Sequence, residues 1–567
     1  MIYLVENNNQ VDLLVKKKFD KNKLHIAFTP DIFVKLKENN FKVLKVNKFF
    51  KPEDHLSVSQ SSHEYCNKVC SFLNHNSYFK TDSALITFRF YLKLYLSHVF
   101  MIIIVYKNLK KEYPNDKIND LKSNETTNIN FSEQPILRDD DSFFKGMFNK
   151  HTNAFKSTGN YILFHKAIKL INKYKILKYQ NTPLILTTFQ NGNMRKYLEY
   201  LYEQKSFKKL RFRSISKNIF LEILYSLYCL IKRIPIVTVP STVDEKQVNN
   251  IFMDLEKSNI LKFESFEIFK IMDRKLYQLI GHTLFVENSL ANTKEYLCML
   301  NDVRVLSISS LGFSSALAEV ASSLGITSTL VSHGSHIKHD GLTGIEQDYL
   351  ALGQIDTPCY SNVVVQSPYA YEFIKSRRNN VFKSKPIMWG DSFDKSFLVD
   401  NKGNNQLICL HASTPKSLIR PIIFETSFEY IENIINIAKA IHGVENIRYI
   451  VRFRKVDTIS LNTIKHILKD YTNIEIATDK TFQYYLNKAD ILLSYSSTTI
   501  EESMLKDKKI ILFGNNGIYE HIKFIEGSNI CFVENQKELR SVLKQYINGK
   551  KNIAYKTYKD MPLYILE

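Results

Sequence analysis

The chain has 567 residues, which excludes one ordinary domain and predicts two to four. Its hydrophobic share of 44% is typical of a globular protein, and 77 Lys and Arg against 57 Asp and Glu give a formal net charge of +20. This excess favours an anionic partner, which would be nucleic acid, an anionic membrane surface or a phosphorylated substrate. Composition alone does not separate these three classes.

Seven cysteines are scattered along the chain, and only Cys66 and Cys70 are close together. Their spacing of four residues places both thiols on one helical face rather than in a metal-binding knuckle. An odd and dispersed count in a large chain favours reduced thiols and a cytoplasmic protein. The first residues are acidic and polar where a signal peptide needs an apolar core, which supports the same expectation.

The first three hundred residues begin with alternating strand and helix and then become mostly helical. The segments "LHIAFT", "PDIFVKLKENN" and "FKVLKV" predict a strand, a helix and a strand. The most apolar run, residues 94–106, has 13 residues, fewer than the ~20 that a spanning helix needs, so a buried helix is predicted. The later elements are a polar loop or insertion at about 107–142, a helix at 161–179, the strand "PLILTTF" and a basic, mostly helical section at 194–300.

From residue 303 onward, short apolar strands alternate with helix-length segments. The strands of the first series are "VRVLSISS", "TSTLVSHG", "NVVVQS" and "KPIMWGD". After a polar linker at residues 400–406, the strands of the second series are "LICLHAS", "IRYIVRFR", "IEIAT", "DILLSYS", "KIILFG" and "NICFV". Near-continuous apolar strands that alternate with helices are typical of parallel sheets covered on both faces. Two such series predict two Rossmann-like domains.

Four hydroxyl residues in a row, Ser496 to Thr499, stand between the strand "DILLSYS" and a predicted helix. Ligands of doubly wound sheets bind at the carboxyl ends of the strands, and the free N–H groups of a helix N-terminus attract phosphate. A phosphate-binding role is therefore predicted. The alternative is simple N-capping, which needs one hydroxyl, whereas four are present.

The segment "ADILLSYSSTTIEESMLKDKKIILFG" resembles the nucleotide-binding segment of GT-B glycosyltransferases that make bacterial surface polysaccharides. In the sialyl- and Kdo-type transferases of that group, paired hydroxyls hold the phosphate of the CMP donor. Carried over by position, these phosphate-binding residues are Ser496, Ser497 and Thr498. The resemblance also implies that Glu501 or Glu502 contacts a ribose or sugar hydroxyl.

A second segment, "TLVSHGSHIKHDG", is similar to the strand and His-Gly turn of polyol-phosphate transferases. His333, Gly334 and Lys338 fit that spacing, which implies an acceptor or phosphate contact for Lys338. A third segment, "KPIMWGDSFDKSF", is similar to the one that closes the N-terminal domain of GT-B enzymes, although its proline is absent. Together the resemblance covers about residues 303–545.

The chain departs from this group in one place. CMP-sugar and polyol-phosphate transferases carry a His-Pro pair after the second strand of the C-terminal domain, where this chain has "YIVRFRKVD". Arginine can pair with phosphate in bidentate fashion, so Arg452 and Arg454 are predicted to contact the nucleotide. Ser413, in the loop "LHASTPKS", is a further candidate, although polar loops after strands are routine.

Glycosyl transfer needs a group that takes the acceptor proton or acts as a nucleophile. His333 follows a buried strand whose end faces the cleft, so it is predicted to be catalytic, with a structural histidine as the alternative. Asp340 in "HDG" resembles the acidic-Asp-Gly triplet of sialyltransferases of this fold, with a plain turn dipeptide as the alternative. His333, His336 and His339 recur every third residue, but this spacing in a loop does not make ligands converge, so no metal site is predicted.

The predicted architecture is α/β and of GT-B type, with two Rossmann-like, doubly wound domains that face each other across a cleft and extra helices in the N-terminal half. The acceptor domain is placed at residues 1–399, the nucleotide-sugar domain at 400–545 and a tail at 546–567. The predicted reaction moves a sugar (Kdo or a nonulosonic acid) from a CMP-activated donor to a bacterial surface glycan, and no cofactor is required.

The expected partners are the nucleotide sugar, a glycan or lipid-linked glycan acceptor, and the anionic inner face of the cytoplasmic membrane. Two alternative activities remain open: a CDP-glycerol or other CDP-polyol phosphotransferase of teichoic-acid type, and a sugar-nucleotide epimerase of the same fold. The motifs G-x-x-x-x-G-K-[ST] and G-x-G-x-x-G are absent, which excludes P-loop kinases and ordinary nicotinamide enzymes. Nucleic-acid binding is not favoured, because basic residues are spread along the chain rather than clustered with aromatics.

Overall fold

The structure is a computed structural model. It describes residues 1–121, 128–130, 173–174, 176–187, 197, 201, 208–214, 236–239, 243–332, 336, 339–355, 358–365, 368–377, 385–388, 406–412, 419–420, 424–453, 459–497, 499–504, 506, 508–513 and 530–549. Three sheets organise these residues, and each consists largely of parallel strands.

Five short strands at the start of the chain form the first sheet. They are β1 Ile2–Val5, β2 Leu24–Ala27, β3 Val43–Lys45, β4 Ile118–Leu121 and β5 Asn128–Asn130. Their spatial order is β3-β2-β1-β4-β5, and β5 alone runs antiparallel to its neighbour. The helices α1 Asn8–Lys16 and α2 Pro30–Glu38 connect the first three strands. The sequence predicted β2, α2 and β3, but it did not predict this sheet as a unit of its own.

Two long helices, α3 Asp54–His75 and α4 Asp82–Glu112, lie between β3 and β4 in the chain. By length and composition α4 could cross a membrane, yet 67% of its most apolar window is buried inside the protein. The predicted buried helix at residues 94–106 is therefore confirmed as the middle of α4, where most side chains are buried.

The second sheet has seven parallel strands. They are β6 Leu184–Thr187, β7 Lys208–Ser214, β8 Ile236–Val239, β11 Val303–Ser307, β12 Ser328–Val331, β13 Asn362–Val365 and β14 Lys385–Met388. Their spatial order is β14-β13-β12-β11-β6-β7-β8. The accompanying elements are α5 Glu245–Lys257, the hairpin β9 Lys262–Phe263 and β10 Phe266–Glu267, α6 Ile268–Leu297, α7 Gly312–Ser323, α8 Gly341–Gln354 and α9 Pro368–Arg377.

The third sheet has six parallel strands, all of which the sequence predicted. They are β15 Leu407–His411, β18 Ile447–Arg452, β19 Ile474–Ala477, β20 Ile491–Ser494, β21 Lys509–Phe513 and β22 Ile530–Val533. The other elements are the hairpin β16 Ile419–Arg420 and β17 Glu425–Thr426, α10 Ser427–Ile441, α11 Leu461–Leu468, α12 Phe482–Lys488, α13 Thr499–Met504 and α14 Gln536–Ile547. The order β19-β18-β15-β20-β21-β22 is the 3-2-1-4-5-6 order of a Rossmann sheet.

The central strands of the third sheet are mostly apolar because both faces are covered. Cys409 and Leu493 enter one apolar cluster, whereas the adjacent Leu410 and Leu492 enter another on the opposite face. The second sheet has the same doubly wound order with one added strand. This confirms the predicted α/β fold with two Rossmann-like sheets.

Each of the three sheets, taken together with its helices, is called a unit below. The first unit, which includes α3 and α4, contacts the third. His55 Nε2 lies 2.9 Å from Glu429 Oε2, and the main-chain N–H of Ser460 donates to Asp31 Oδ1 at 2.7 Å. Lys45 Nζ lies 3.6 Å from Glu432 Oε1. Since α4 also packs against α6, α7 and α8, the first unit is in contact with the elements of both Rossmann-like sheets.

Candidate functional site

The strand order of the third sheet reverses between β15 and β20, which makes this the topological switch point. Ligands of doubly wound sheets bind at such a point, outside the carboxyl ends of the strands. β15 ends at His411, which pairs in register with Leu493 of β20. The hydroxyl run begins one residue after Tyr495, which follows the end of β20, so it lies after the carboxyl end of this strand and leads into α13, as the sequence predicted.

The hydroxyl groups here have different roles. Ser497 Oγ accepts a hydrogen bond from the Thr499 N–H at 3.3 Å, which caps the first turn of α13. Thr499 Oγ1 donates to the carbonyl of Ala412 at 3.2 Å and so ties the two loops together across the switch point. Ser496 is half-buried in the same loop. N-capping therefore accounts for one hydroxyl of the run and does not account for its length.

Ser494, the last residue of β20, was not among the predicted site residues. Its side chain is 1% exposed, and its Oγ has no hydrogen-bond partner within the part of the chain that the structure describes. A buried hydroxyl without a partner carries a desolvation cost that a ligand oxygen would remove. A serine at the end of an apolar strand, just before a hydroxyl run, is the signal that could have identified it.

The two glutamates of α13 are adjacent in sequence and differ in their surroundings. Glu501 is 8% exposed, and Glu502 is half-buried. The Gln483 side-chain amide of α12 donates to Glu502 Oε2, which holds that carboxylate toward α12. Adjacent helical residues point in different directions, so the two carboxylates do not act on one ligand atom together.

Arg452 ends β18, the strand beside β15, and so lies at the same edge. Its Nη1 donates to the carbonyls of Phe453 at 2.9 Å and Ala477 at 3.4 Å. Its Nε is buried and has no acceptor among the described residues. The guanidinium is therefore fixed at the sheet edge, and its hydrogen-bonding capacity is incompletely used.

His411 was missed by the sequence reasoning, which singled out only its neighbours in "LHASTPKS". It ends β15 and is 4% exposed, with Nδ1 2.7 Å from the Tyr449 hydroxyl and its ring stacked on that of Tyr449. Burial lowers the pKa of His411 from 6.5 to about 4, so the imidazole is neutral at physiological pH. A histidine at the end of an otherwise apolar strand was the available signal.

Several predicted site residues lie outside the described residues: His333, Lys338, Ser413, Arg454 and Thr498. Of the remainder, Arg452, Ser496, Ser497, Glu501 and Glu502 share the carboxyl edge of the third sheet or the helix that follows it. Asp340 belongs to the second unit, where it is exposed at the N-cap position of α8 and its side chain makes no capping bond.

The histidine series around Asp340 does not share one environment. His336 is fully buried, with its ring 5.7 Å from that of Phe373, and His339 is half-buried. Among the residues that the structure describes, no group of three or more His, Cys, Asp and Glu is arranged to hold a metal ion.

A second concavity lies away from the strand ends. It is an open groove of about 1070 Å³ between one face of α3 and the turn before β9, and its lining includes His63, Asn67 and Lys262. None of the predicted site residues lines it. The switch point of the third sheet therefore stays the candidate site, because its position follows from strand order rather than from volume.

No protein-family model matches the chain, and no curated protein is significantly similar to it. Among solved structures, a protein of Listeria monocytogenes described as a UDP-N-acetylglucosamine 2-epimerase matches with 10% identity and a TM-score of 0.37, over 67% of this chain and 93% of its own. The UDP-GlcNAc 2-epimerase of Neisseria meningitidis, bound to UDP-GlcNAc, matches with 11% identity and a TM-score of 0.35, over 65% and 94%. MurG of Acinetobacter baumannii matches with 10% identity and a TM-score of 0.34, over 65% and 91%. Likenesses at this level assign neither an activity nor a substrate to this chain.

Proposed function

We propose that this protein is a sugar-nucleotide enzyme of GT-B type that transfers a sugar from a nucleotide-activated donor. The observation that carries the proposal is the hydroxyl loop at the switch point of the third sheet, tied to the end of β15 by Thr499. This is the position at which doubly wound sheets bind nucleotides. The fold by itself does not imply the function, so the proposal depends on this site.

The groups at the site suit a phosphate ester. Ser494 and Ser496 supply hydroxyl donors, and Arg452 supplies a fixed positive charge on the neighbouring strand. Donors that are already oriented stabilise the charge that develops on a departing phosphate. On this proposal Ser497 orients the loop by capping α13, and the buried Glu501 is the carboxylate that contacts a ribose or sugar hydroxyl.

For the donor we propose a CMP-activated acidic sugar, with a bacterial surface glycan or lipid-linked glycan as acceptor. The support is the sequence resemblance around residues 489–514, and Asp340 and His333 are the proposed acid/base residues. The proposed compartment is the cytoplasm, supported by the thiols of Cys66, Cys70 and Cys409, which are buried and form no disulfide.

The first experiment is a thermal-shift screen of the full chain against CMP, CDP, UDP and GDP. A ligand that binds only the folded state raises Tm by an amount set by its concentration relative to Kd. We expect CMP to raise Tm for the natural protein and to lose this effect in Ser496→Ala/Ser497→Ala. The matched control is Asn535→Ala, because Asn535 caps α14 of the same unit and lies at the edge strand. It should lower Tm through the lost cap, worth roughly 1 kcal/mol, and keep the CMP shift.

Each outcome of this screen decides something. A shift with UDP or GDP in place of CMP would keep the site and replace the donor. An equal loss of the shift in Asn535→Ala would show that the serine variant acts only through stability. No shift with any nucleotide would contradict the proposed function.

Product analysis separates the three reactions. A glycosyltransferase of the proposed kind releases CMP from a CMP-sugar only when an acceptor is present. A CDP-polyol phosphotransferase releases CMP from CDP-glycerol, and an epimerase interconverts two nucleotide sugars with no acceptor.

A further inference from the structure

The first sheet carries a concentration of lysines at one edge. The chain enters its parallel strands through three segments, 16–23, 37–42 and 110–117. These contain ten lysines and four carboxylates: Lys16, Lys17, Lys18, Lys21, Lys23, Lys37, Lys42, Lys110, Lys111 and Lys117, with Asp20, Glu38, Glu112 and Asp116. We refer to these ten lysines as the basic edge. The three segments contain no arginine.

The strand register brings the basic edge together in space. Lys23, Lys42 and Lys117 each come immediately before a parallel strand, and they stand at β2, β3 and β4 of the same sheet. The main chain confirms their proximity, since the His25 N–H donates to Lys42 O at 2.9 Å and the Lys42 N–H donates to Lys21 O at 2.9 Å. Neighbouring strands are about 4.8 Å apart, so these lysines form a row across the sheet.

Most of these lysines point into solvent. Lys16, Lys18, Lys21, Lys42, Lys111 and Lys117 are exposed, and they make no ion pair within the part of the chain that the structure describes. Three of the four carboxylates are already paired: Asp20 with Lys23 at 3.9 Å, Glu112 with Lys48, and Asp116 with the N-terminal ammonium group of Met1. The edge is therefore strongly positive after its internal pairs are formed.

The basic edge lies at the opposite ends of the strands from the contacts with the third unit. The contacts with the third unit come from the start of α2, the end of β3 and the start of α3, through Asp31, Lys45 and His55. Asp31 and Lys45 stand at the carboxyl ends of the strands, whereas the basic edge stands at their amino ends. None of these three contacts uses a lysine of the basic edge, so they leave its exposed lysines to a further partner.

The chemistry of the edge fits a lipid surface better than nucleic acid. Its cations are all lysines, which act as point charges on flexible stems and suit a diffuse layer of headgroups. Base recognition uses arginine and exposed aromatic rings for stacking. The aromatic residues here are not exposed, since Phe41 is 4% exposed and Phe19 and Tyr113 are half-buried. Val15, which is 42% exposed beside Lys16, adds an apolar side chain that can enter the headgroup layer.

We propose that the basic edge of the first sheet docks this protein on an anionic lipid bilayer. Each lysine near such a surface changes the partition coefficient by roughly fivefold. The attraction decays within a Debye length, about 10 Å at 0.1 M salt, so binding is reversible and sensitive to salt. The proposal depends on the charge distribution of the first unit and not on the nucleotide site, so either proposal can fail alone.

The test measures co-sedimentation of the full chain with vesicles of phosphatidylcholine containing about a third phosphatidylglycerol, at 0.1 M and 0.5 M NaCl. The test variant is Lys16→Gln/Lys42→Gln/Lys117→Gln, which removes one lysine from each segment. The matched control is Lys439→Gln/Lys465→Gln/Lys544→Gln, which removes the same charge from exposed positions on helices of the third unit.

We expect the natural protein to bind anionic vesicles at 0.1 M salt, to release at 0.5 M, and to ignore vesicles of phosphatidylcholine alone. The test variant should bind on the order of a hundredfold more weakly, whereas the control should change by less than tenfold. Unchanged circular dichroism and an unchanged cooperative thermal unfolding transition in the test variant separate lost docking from misfolding. Equal weakening by both variants, or no binding of the natural protein, would overturn the proposal. Tighter binding of a 30-mer oligonucleotide than of vesicles, lost in the test variant, would overturn it in favour of nucleic acid.

Discussion

The ion pair between Lys93 of α4 and Glu346 of α8 gives the sharpest test of the packing between the first and second units. Each side chain is 1% exposed. Ser59 Oγ also donates to Glu346 Oε1 at 2.5 Å, and Lys93 Nζ lies 5.3 Å from the centre of the Tyr349 ring. Removing one partner leaves a charge buried without compensation, which costs about 3–5 kcal/mol. Replacing both with apolar residues removes the two desolvation costs together and is close to neutral.

The variants are Lys93→Met, Glu346→Leu and the double variant, compared by thermal unfolding and by protection from proteolysis. For a cooperative unit of 150–250 residues, about 3–5 kcal/mol corresponds to a fall in Tm of roughly 6–20 °C. We expect each single variant to show this fall and the double variant to recover most of it. Single variants within about 2 °C of the natural protein, or a double variant no better than either single one, would refute the reasoning.

Three further outcomes are expected. Thr499→Val should weaken nucleotide binding, since it removes the hydrogen bond to the carbonyl of Ala412, whereas Thr499→Ser should keep both the bond and the affinity. Isothermal calorimetry with CMP measures both variants. Equal affinities would contradict a role of this hydrogen bond in binding. Burial lowers the pKa of His411 from 6.5 to about 4, so between these pH values the unfolded state binds one more proton than the folded state. The free energy of unfolding should therefore fall by about 3 kcal/mol from pH 6.5 to pH 4. A His411→Gln variant should lose this pH dependence in denaturant titrations, and an unchanged dependence of the unfolding free energy on pH would contradict the prediction. Of the cysteines that the structure describes, exposed Cys298 should react first with a thiol reagent, and Cys409, whose pKa burial raises, should react only on unfolding; mass spectrometry of partly labelled protein reads the order, and early labelling of Cys409 would contradict its burial.

The third sheet was predictable because burial on both faces imposes apolar residues at nearly every position of β15, β20 and β21, with polar residues only at strand ends. The first sheet was not predictable from its sequence, and the reasons are physical. Its fourth strand, Ile118–Leu121, has the partly polar sequence "INDL", and two long helices separate it from β3. A strand so short and so distant in sequence is defined by its partner β1 and not by its own periodicity.

At the candidate site, too, features set by local sequence were predictable and features set by distant partners were not. The run Ser496–Thr499 was identified because hydroxyls are unusual in such number between a strand and a helix. Which hydroxyl ties the two loops together depends on an atom 87 residues away in sequence, as the bond from Thr499 to Ala412 shows. His411 was missed because its role depends on Tyr449, 38 residues further on, and the local sequence carries no trace of that contact.

The contact between the first and third units has a consequence during synthesis of the chain. The bond between Asp31 and Ser460 joins residues 429 positions apart, and His55 and Glu429 are separated by 374. At 5–20 residues per second, the ribosome needs on the order of 20–90 s to deliver the second partner after the first. During that interval Phe33, whose ring later meets that of Phe428, is without its partner. The nascent chain therefore offers an apolar surface to chaperones, or to the same surface on a neighbouring nascent chain, until the last third of the protein emerges.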